Sequence, residues 1–213
     1  VAWPTTQYRG LDVLDLDPNA ALANDTAYHR SVQRLDPGPG AVTVVDRSGV
    51  ATLDAKAIPF LLASRAEIAN FVTWLTRRLG RLVPFWAPTW QADLVLAEQA
   101  NIGATGFSIM NTGYTRFQFS SVARRDLAIF MLDRSGIYFH RVIASVEEMD
   151  GTEALSLEVA SPLQATITPT NCMISFLPFC RLASDDTPEF KWETTTVVAA
   201  VLAIASLPGE TPA

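Results

Sequence analysis

Two cysteines, two histidines and 16 basic residues in a chain of 213 leave little material for several kinds of chemistry. Cys172 and Cys180 stand eight apart in apolar surroundings. That is neither a disulfide framework nor a metal knuckle, so free thiols are expected. The basic residues are scattered, and no run exceeds the pairs Arg77-Arg78 and Arg124-Arg125. A protein that neutralises phosphates needs clustered Lys and Arg, so sequence-specific nucleic-acid binding is not expected. The net charge of −6 still suits a wall past which DNA slides. The longest apolar run, Val197 to Leu207, is about half of the roughly 20 residues a membrane span requires. The N-terminus lacks a basic segment followed by an apolar stretch, so no signal peptide is expected. Val1 is consistent with removal of an initiator Met.

Catalytic constellations are equally scarce. No Gly-x-Ser-x-Gly surrounds a serine, and the only imidazoles are His29 and His140, both read as strand residues. Asp12, Asp15 and Asp17 form the densest acidic cluster, but without the glycine and closing glutamate of a calcium loop they read as a solvated turn. Gly103-Ala104-Thr105-Gly106 lacks the Lys-Ser/Thr ending of a phosphate loop. Glu147-Glu148 and Asp185-Asp186 pair carboxylates in sequence, yet neighbours on a strand point to opposite faces, which defeats acid–base cooperation. No catalytic residue, cofactor or metal site is expected.

What is present is β-rich, with 49% hydrophobic and 18% charged residues, enough to build a core in one large domain or two small ones. Asp36-Pro37-Gly38-Pro39-Gly40 is the strongest loop signal. Tyr28 to Leu35 reads as a short strand, and Ala41–Val45 with Val50–Leu53 as a hairpin turned at Asp46-Arg47-Ser48-Gly49. Ser64-Arg65-Ala66-Glu67 is a capping box that opens an amphipathic helix over 64–79. Ile68, Phe71, Val72, Leu75 and Leu79 form its stripe, Arg77 and Arg78 suit its C-terminal dipole, and Gly80 is its stop.

Pro84 and Pro88 then confine any strand to an edge. Beyond them short strands are expected at Leu94–Ala97, Gly106–Met110, Thr115–Phe119, Leu127–Leu132, Ile137–Val146 and Leu155–Val159. Asp133-Arg134-Ser135-Gly136 and Met149-Asp150-Gly151 serve as turns in a meander. Cys172–Leu182, Phe190–Thr194 and Thr195–Leu207 supply the last strands, with a turn at Asp185–Pro188 and a loose tail at 208–213. Trp86 and Trp90 read as a core plug or an interface anchor, less readily as a sugar platform.

The helix followed by Gly80-Arg81-Leu82-Val83-Pro84-Phe85-Trp86-Ala87-Pro88-Thr89-Trp90-Gln91-Ala92-Asp93-Leu94 resembles a pattern in tail proteins of long-tailed phages, prophages and gene-transfer agents. Cys180-Arg181-Leu182-Ala183-Ser184-Asp185 resembles their Arg-Leu-x-x-Asp segment, which precedes a closing strand. The likeness spans most of residues 40–207. It implies a distal tail or baseplate-hub virion protein, made in the host cytoplasm and built into the virion tail. Such a protein forms a ring with itself, commonly a hexamer for the distal tail class or a trimer for hubs. The ring joins the tail tube protein to tip or hub proteins around the DNA channel. A carbohydrate- or receptor-binding β-sandwich is the alternative.

The implied fold is mainly β (α+β): a tail-tube-like β-sandwich flanked by one helix, with an inserted small β-barrel. The split would place 1–90 plus 172–213 in the tube-like domain and 91–171 in the barrel. Phe85, Trp86, Trp90 and Arg181 are the candidate interface or core anchors. The iron–sulfur cluster of some hub-type relatives would need more ligands than two cysteines supply.

Overall fold

The computed structural model describes residues 6–19, 25–29, 32–35, 38, 43–46, 52–148, 151–185 and 188–207. In chain order the strands are β1 (Gln7–Tyr8), β2 (Leu11–Asp12), β3 (Asp25–His29), β4 (Val32–Leu35), β5 (Thr43–Asp46), β6 (Thr52–Leu62), β7 (Phe85–Trp86), β8 (Gly106–Met110), β9 (Asp126–Met131), β10 (Ile137–Glu147), β11 (Thr152–Leu157), β12 (Cys172–Phe176), β13 (Phe179–Leu182), β14 (Phe190–Trp192) and β15 (Val198–Ser206). One α-helix, α1 (Arg65–Arg78), lies among them. The chain is mainly β, 41% strand against 14% helix, as the sequence led us to expect.

Two compact units emerge. The first holds Val1–Thr5, Leu16–Phe85 and Cys180–Pro208, and the second Thr6–Asp15, Trp86–Phe179 and Gly209–Ala213. These boundaries differ from the expected split in three segments. Residues 172–179 belong with the barrel because β12 pairs along its length with β9, from Cys172↔Met131 to Phe176↔Leu127. Residues 6–15 and 86–90 also lie in the second unit.

In the first unit the sheet order is β3-β6-β15-β13-β7, with β14 also on β15. Period-2 alternation puts Ile58, Phe60 and Leu62 of β6 on one face, opposite Leu202, Ala200 and Val198 of β15, all buried. Helix α1 packs on that face. Phe71 meets Phe60 at 5.8 Å and Phe190 at 6.1 Å between ring centroids, and Trp74 meets Phe85 edge-on at 5.0 Å.

The helix starts as its capping box dictates. The Ser64 hydroxyl accepts from the Glu67 amide, and the Glu67 carboxylate accepts from Ala63 N–H. Its buried stripe is Phe71, Trp74, Leu75 and Arg78, a correction to the expected one: Val72 and Leu79 are exposed. Arg78 enters the stripe because its guanidinium lies 5.3 Å from the centre of the Trp74 ring. The left-handed stop begins one residue early, at Leu79 (φ 50°), and Gly80 (φ 64°) continues it.

The strands before the helix are nested. β4 pairs with β5 through Val32↔Asp46 to Leu35↔Thr43, while β3 pairs with β6 through Tyr28↔Leu53 and His29↔Thr52. The expected hairpin of 41–45 with 50–53 is therefore replaced by antiparallel pairing of β4 with β5 and of β3 with β6. Most of residues 36–42, and the 47–49 turn, lie outside the described residues. So do the expected turn positions 149–150 and 186–187 and the tail from 208.

The second unit is a barrel. Its sheet runs β12-β9-β10-β11-β8, with the β9–β10 turn at Asp133–Gly136 as expected. Residues 93–97 close it, bridging β12 through Leu94↔Ile174 and β8 through Leu96↔Ile109. Leu127, Ile129, Val142, Leu155, Ile174 and Phe176 fill the interior. One expected strand is absent from this barrel: Tyr114–Gln118 is a π-helical turn, and a short 3₁₀ turn follows at Val122–Arg124.

Candidate functional site

The signature around Phe85 and Trp86 is a structural strap. Phe85 and Trp86 are fully buried. The Trp86 indole N–H donates to the Tyr8 carbonyl at 3.0 Å, and its ring sits 5.3 Å from Tyr8 and 5.0 Å from Phe179. No ring face is left for a sugar. The segment then runs beside the barrel, Ala87 N–H donating to Pro178, Thr89 N–H to Phe176 and Asp93 N–H to Ile174. The Asp93 carboxylate accepts from the Thr89 hydroxyl and from Phe176 N–H. Those bonds explain a Thr and an Asp at this spacing: together they fix the turn in which Trp90 takes a left-handed φ of 53°. Trp90 is half-buried.

The two motifs meet in the first unit. The Asp185 carboxylate accepts the Arg81 backbone N–H at 2.8 Å, and a Cβ on Gly80 would collide with it. Glycine is required at 80 for this close approach as well as for its positive φ. Arg181 is half-buried on β13, opposite Ala205. Among the four candidate anchors, Phe85 packs against Trp74 and Trp86 against Tyr8 and Phe179.

The polar groups that the fold does concentrate lie in the barrel, and sequence reading missed them. Glu153 points inward on β11, in parity with Leu155 and Leu157, and is wholly buried. Its Oε1 accepts the N–H groups of Thr112 (2.9 Å), Gly113 (2.8 Å) and Tyr114 (3.0 Å). Its Oε2 accepts Thr115 N–H at 2.5 Å and the Thr115 hydroxyl at 2.6 Å. Burial alone would push this carboxyl up; the bonds from Thr115, Tyr114 and Thr112 outweigh it and hold the pKa below the ordinary range. The carboxylate thus pins the π-helical turn, whose Tyr114 hydroxyl donates to the Arg124 carbonyl and whose ring stacks on Phe176. An acidic residue on the apolar parity of a strand was the available signal.

On the outer face of β9 and β10, Asp126 is buried. It accepts from the Tyr8 hydroxyl at 2.8 Å and from Arg141 at 3.4 Å. Burial raises its pKa, with the Tyr8 bond and the Arg141 charge opposing. Burial and the charge of Asp126 push the Tyr8 phenol up in turn. His140 faces inward, opposite Leu127. Its Nδ1 donates to the Ser161 carbonyl at 3.1 Å, and Nε2 has no hydrogen-bond partner. Burial pushes its pKa down, the Ser161 bond only partly offsetting this. The imidazole is therefore held neutral and buttresses the Ser161 carbonyl.

Cys172 and Cys180 are free thiols. Among the described residues no three His, Cys, Asp or Glu side chains group closely enough to hold a metal ion, and no helix is long and apolar enough to cross a membrane. Comparison with protein-family models and with curated proteins returned no match.

Proposed function

We propose that this chain is a structural subunit of a phage tail: a non-catalytic, ring-forming distal tail adaptor that joins the tail tube to the tip around the DNA channel. The resemblance of the Gly80–Leu94 and Cys180–Asp185 segments to such proteins supplies the class. One observation supports assembly on physical grounds. Among the described residues β4 and β5 pair only with each other, so the ribbon presents two open edges. An isolated two-stranded ribbon is marginal in water, and open edges are templates for pairing with another chain.

The sheet beside it has a second surface of this kind. On its face away from the helix, Leu61 and Val201 are 48% and 51% exposed, and Ala199 and Ala203 lie between them. A strand apolar on both faces, as β15 is, belongs to a sheet covered on both sides. Repeating one heterologous contact by rotation closes a ring. The ring is a hexamer in the distal tail reading and a trimer if the protein is a hub. Its partners are the tube protein and the tip proteins.

Sedimentation of the wild-type chain against one in which residues 32–46 are replaced by a short turn tests this. The expected result is a ring-sized species for the former and a folded monomer for the latter. A wild type that stays monomeric at high concentration, with neighbouring tail proteins added, overturns the proposal.

A further inference from the structure

The barrel invests heavily in one exposed turn. Five hydrogen bonds converge on the buried Glu153 carboxylate to hold Gly113–Gln118 in a π-helical conformation, a rare form that concentrates at functional places. The turn's outward side chains are Arg116 and Phe117. Phe117 is 73% exposed, the most exposed aromatic among the described residues. Its ring lies so close over Gly113 that a Cβ there would meet it at 2.8 Å, and the Arg116 guanidinium is 5.4 Å from its centre. An exposed aromatic carried on an anchored turn is placed as a contact anchor.

The turn's own segment of chain is basic. Residues 111–125 carry Arg116, Arg124 and Arg125 and no acidic side chain, in a chain whose formal net charge is −6. The complement to this turn is therefore available on another copy of the same chain. A cleft of about 400 Å³ lies on the outer wall of the barrel, floored by Ala100, Gly106 and Ala154 and rimmed by Glu98, Asn101 and Ser108. Small residues leave room for a ring there, and Glu98 places a carboxylate at its mouth. β8 separates the two features: the cleft lies at its Gly106 end and the turn beyond its Met110 end. The span of the strand is about 14 Å. A knob and a socket at opposite ends of one strand cannot engage within a chain, but they match head-to-tail between chains, the heterologous arrangement that rings require.

We infer that Phe117 of one copy seats in the Glu98–Gly106–Ala154 cleft of the next, with Arg116 meeting Glu98. The inference rests on the self-assembly proposed above and assigns a contact to it. Two single variants, Phe117→Cys and Ser108→Cys, each in a Cys172→Ser background, test it by disulfide trapping under mild oxidation. The mixture should yield covalent dimers at least tenfold in excess of either variant alone. Phe117→Ala, which removes no buried contact of the core, should weaken association of the wild-type chain at least tenfold with an unchanged melting temperature. If the wild type assembles while Phe117→Ala assembles equally well, the knob is wrong and self-assembly stands. If Phe117→Cys couples chiefly to itself, the contact is isologous and the head-to-tail pairing is wrong. A wild type that does not assemble overturns both.

Discussion

Replacing Glu153 by Gln keeps shape and removes charge, so it isolates what the carboxylate contributes. The amide has one acceptor oxygen. If that oxygen stays with Thr112, Gly113 and Tyr114, the NH₂ group faces Thr115 N–H, donor against donor. The Thr115 hydroxyl retains Ser145, 2.5 Å away, but the amide proton is left without an acceptor, at about 1–3 kcal/mol. The three remaining bonds lose their charge assistance, which roughly halves each. A loss of about 3–5 kcal/mol follows, or roughly 10 °C in melting temperature for a chain of this size. Thermal unfolding followed by tyrosine and tryptophan fluorescence at pH 7 measures it.

The pH dependence supplies the sign. Glu153 has a depressed pKa in the folded state, so its contribution is complete above the ordinary glutamate range. It is lost as pH falls below that range and through the folded value. The gap between wild type and Glu153→Gln should accordingly narrow in acid. A change under about 2 °C at pH 7, or a gap that does not narrow, refutes the role given to the carboxylate.

Other substitutions probe the remaining supports. His140 is held neutral below its unfolded pKa, so it favours the fold above about pH 6.5 and opposes it below. Stability should decline by up to about 1.4 kcal/mol per pH unit from this group, and His140→Gln should flatten that segment of the stability–pH curve; an unchanged slope would contradict the assignment. Tyr8→Phe leaves Asp126 short of a donor and should cost about 1–3 kcal/mol in denaturant unfolding. Gly80→Ala puts a Cβ against Asp185 at a positive φ and should cost about 1–2 kcal/mol; a neutral result would break the link drawn between the two motifs.

The parts of this fold written in local chemistry were legible. Ser64 and Glu67 announce the helix, and Asp133–Gly136 turns β9 into β10, because caps and tight turns are decided by residues a few positions apart. The errors have long-range causes. Thr115–Phe119 alternates like a strand, but Glu153, far along the chain, draws its amides into a π-helical turn. Asp46–Gly49 carries the same turn letters as 133–136, yet β5 pairs backward with β4 and β6 with β3, a choice made by partners outside any local window. Arg78 read as a partner of the helix dipole, and its burial beside the Trp74 ring has no local sequence signal. Cys172–Leu182 is continuously apolar, so nothing local marks where the barrel strand ends and the next unit begins. The Thr89 and Asp93 of the signature were visible as letters, and their bond to each other was not.

Self-assembly into a closed ring is the claim on which the functional account stands. Electron microscopy of the purified chain in negative stain tests it most directly. The account predicts rings of one rotational symmetry with a central opening, six-fold for a distal tail adaptor or three-fold for a hub. Particles of monomer size at every concentration, with or without neighbouring tail proteins, would contradict it.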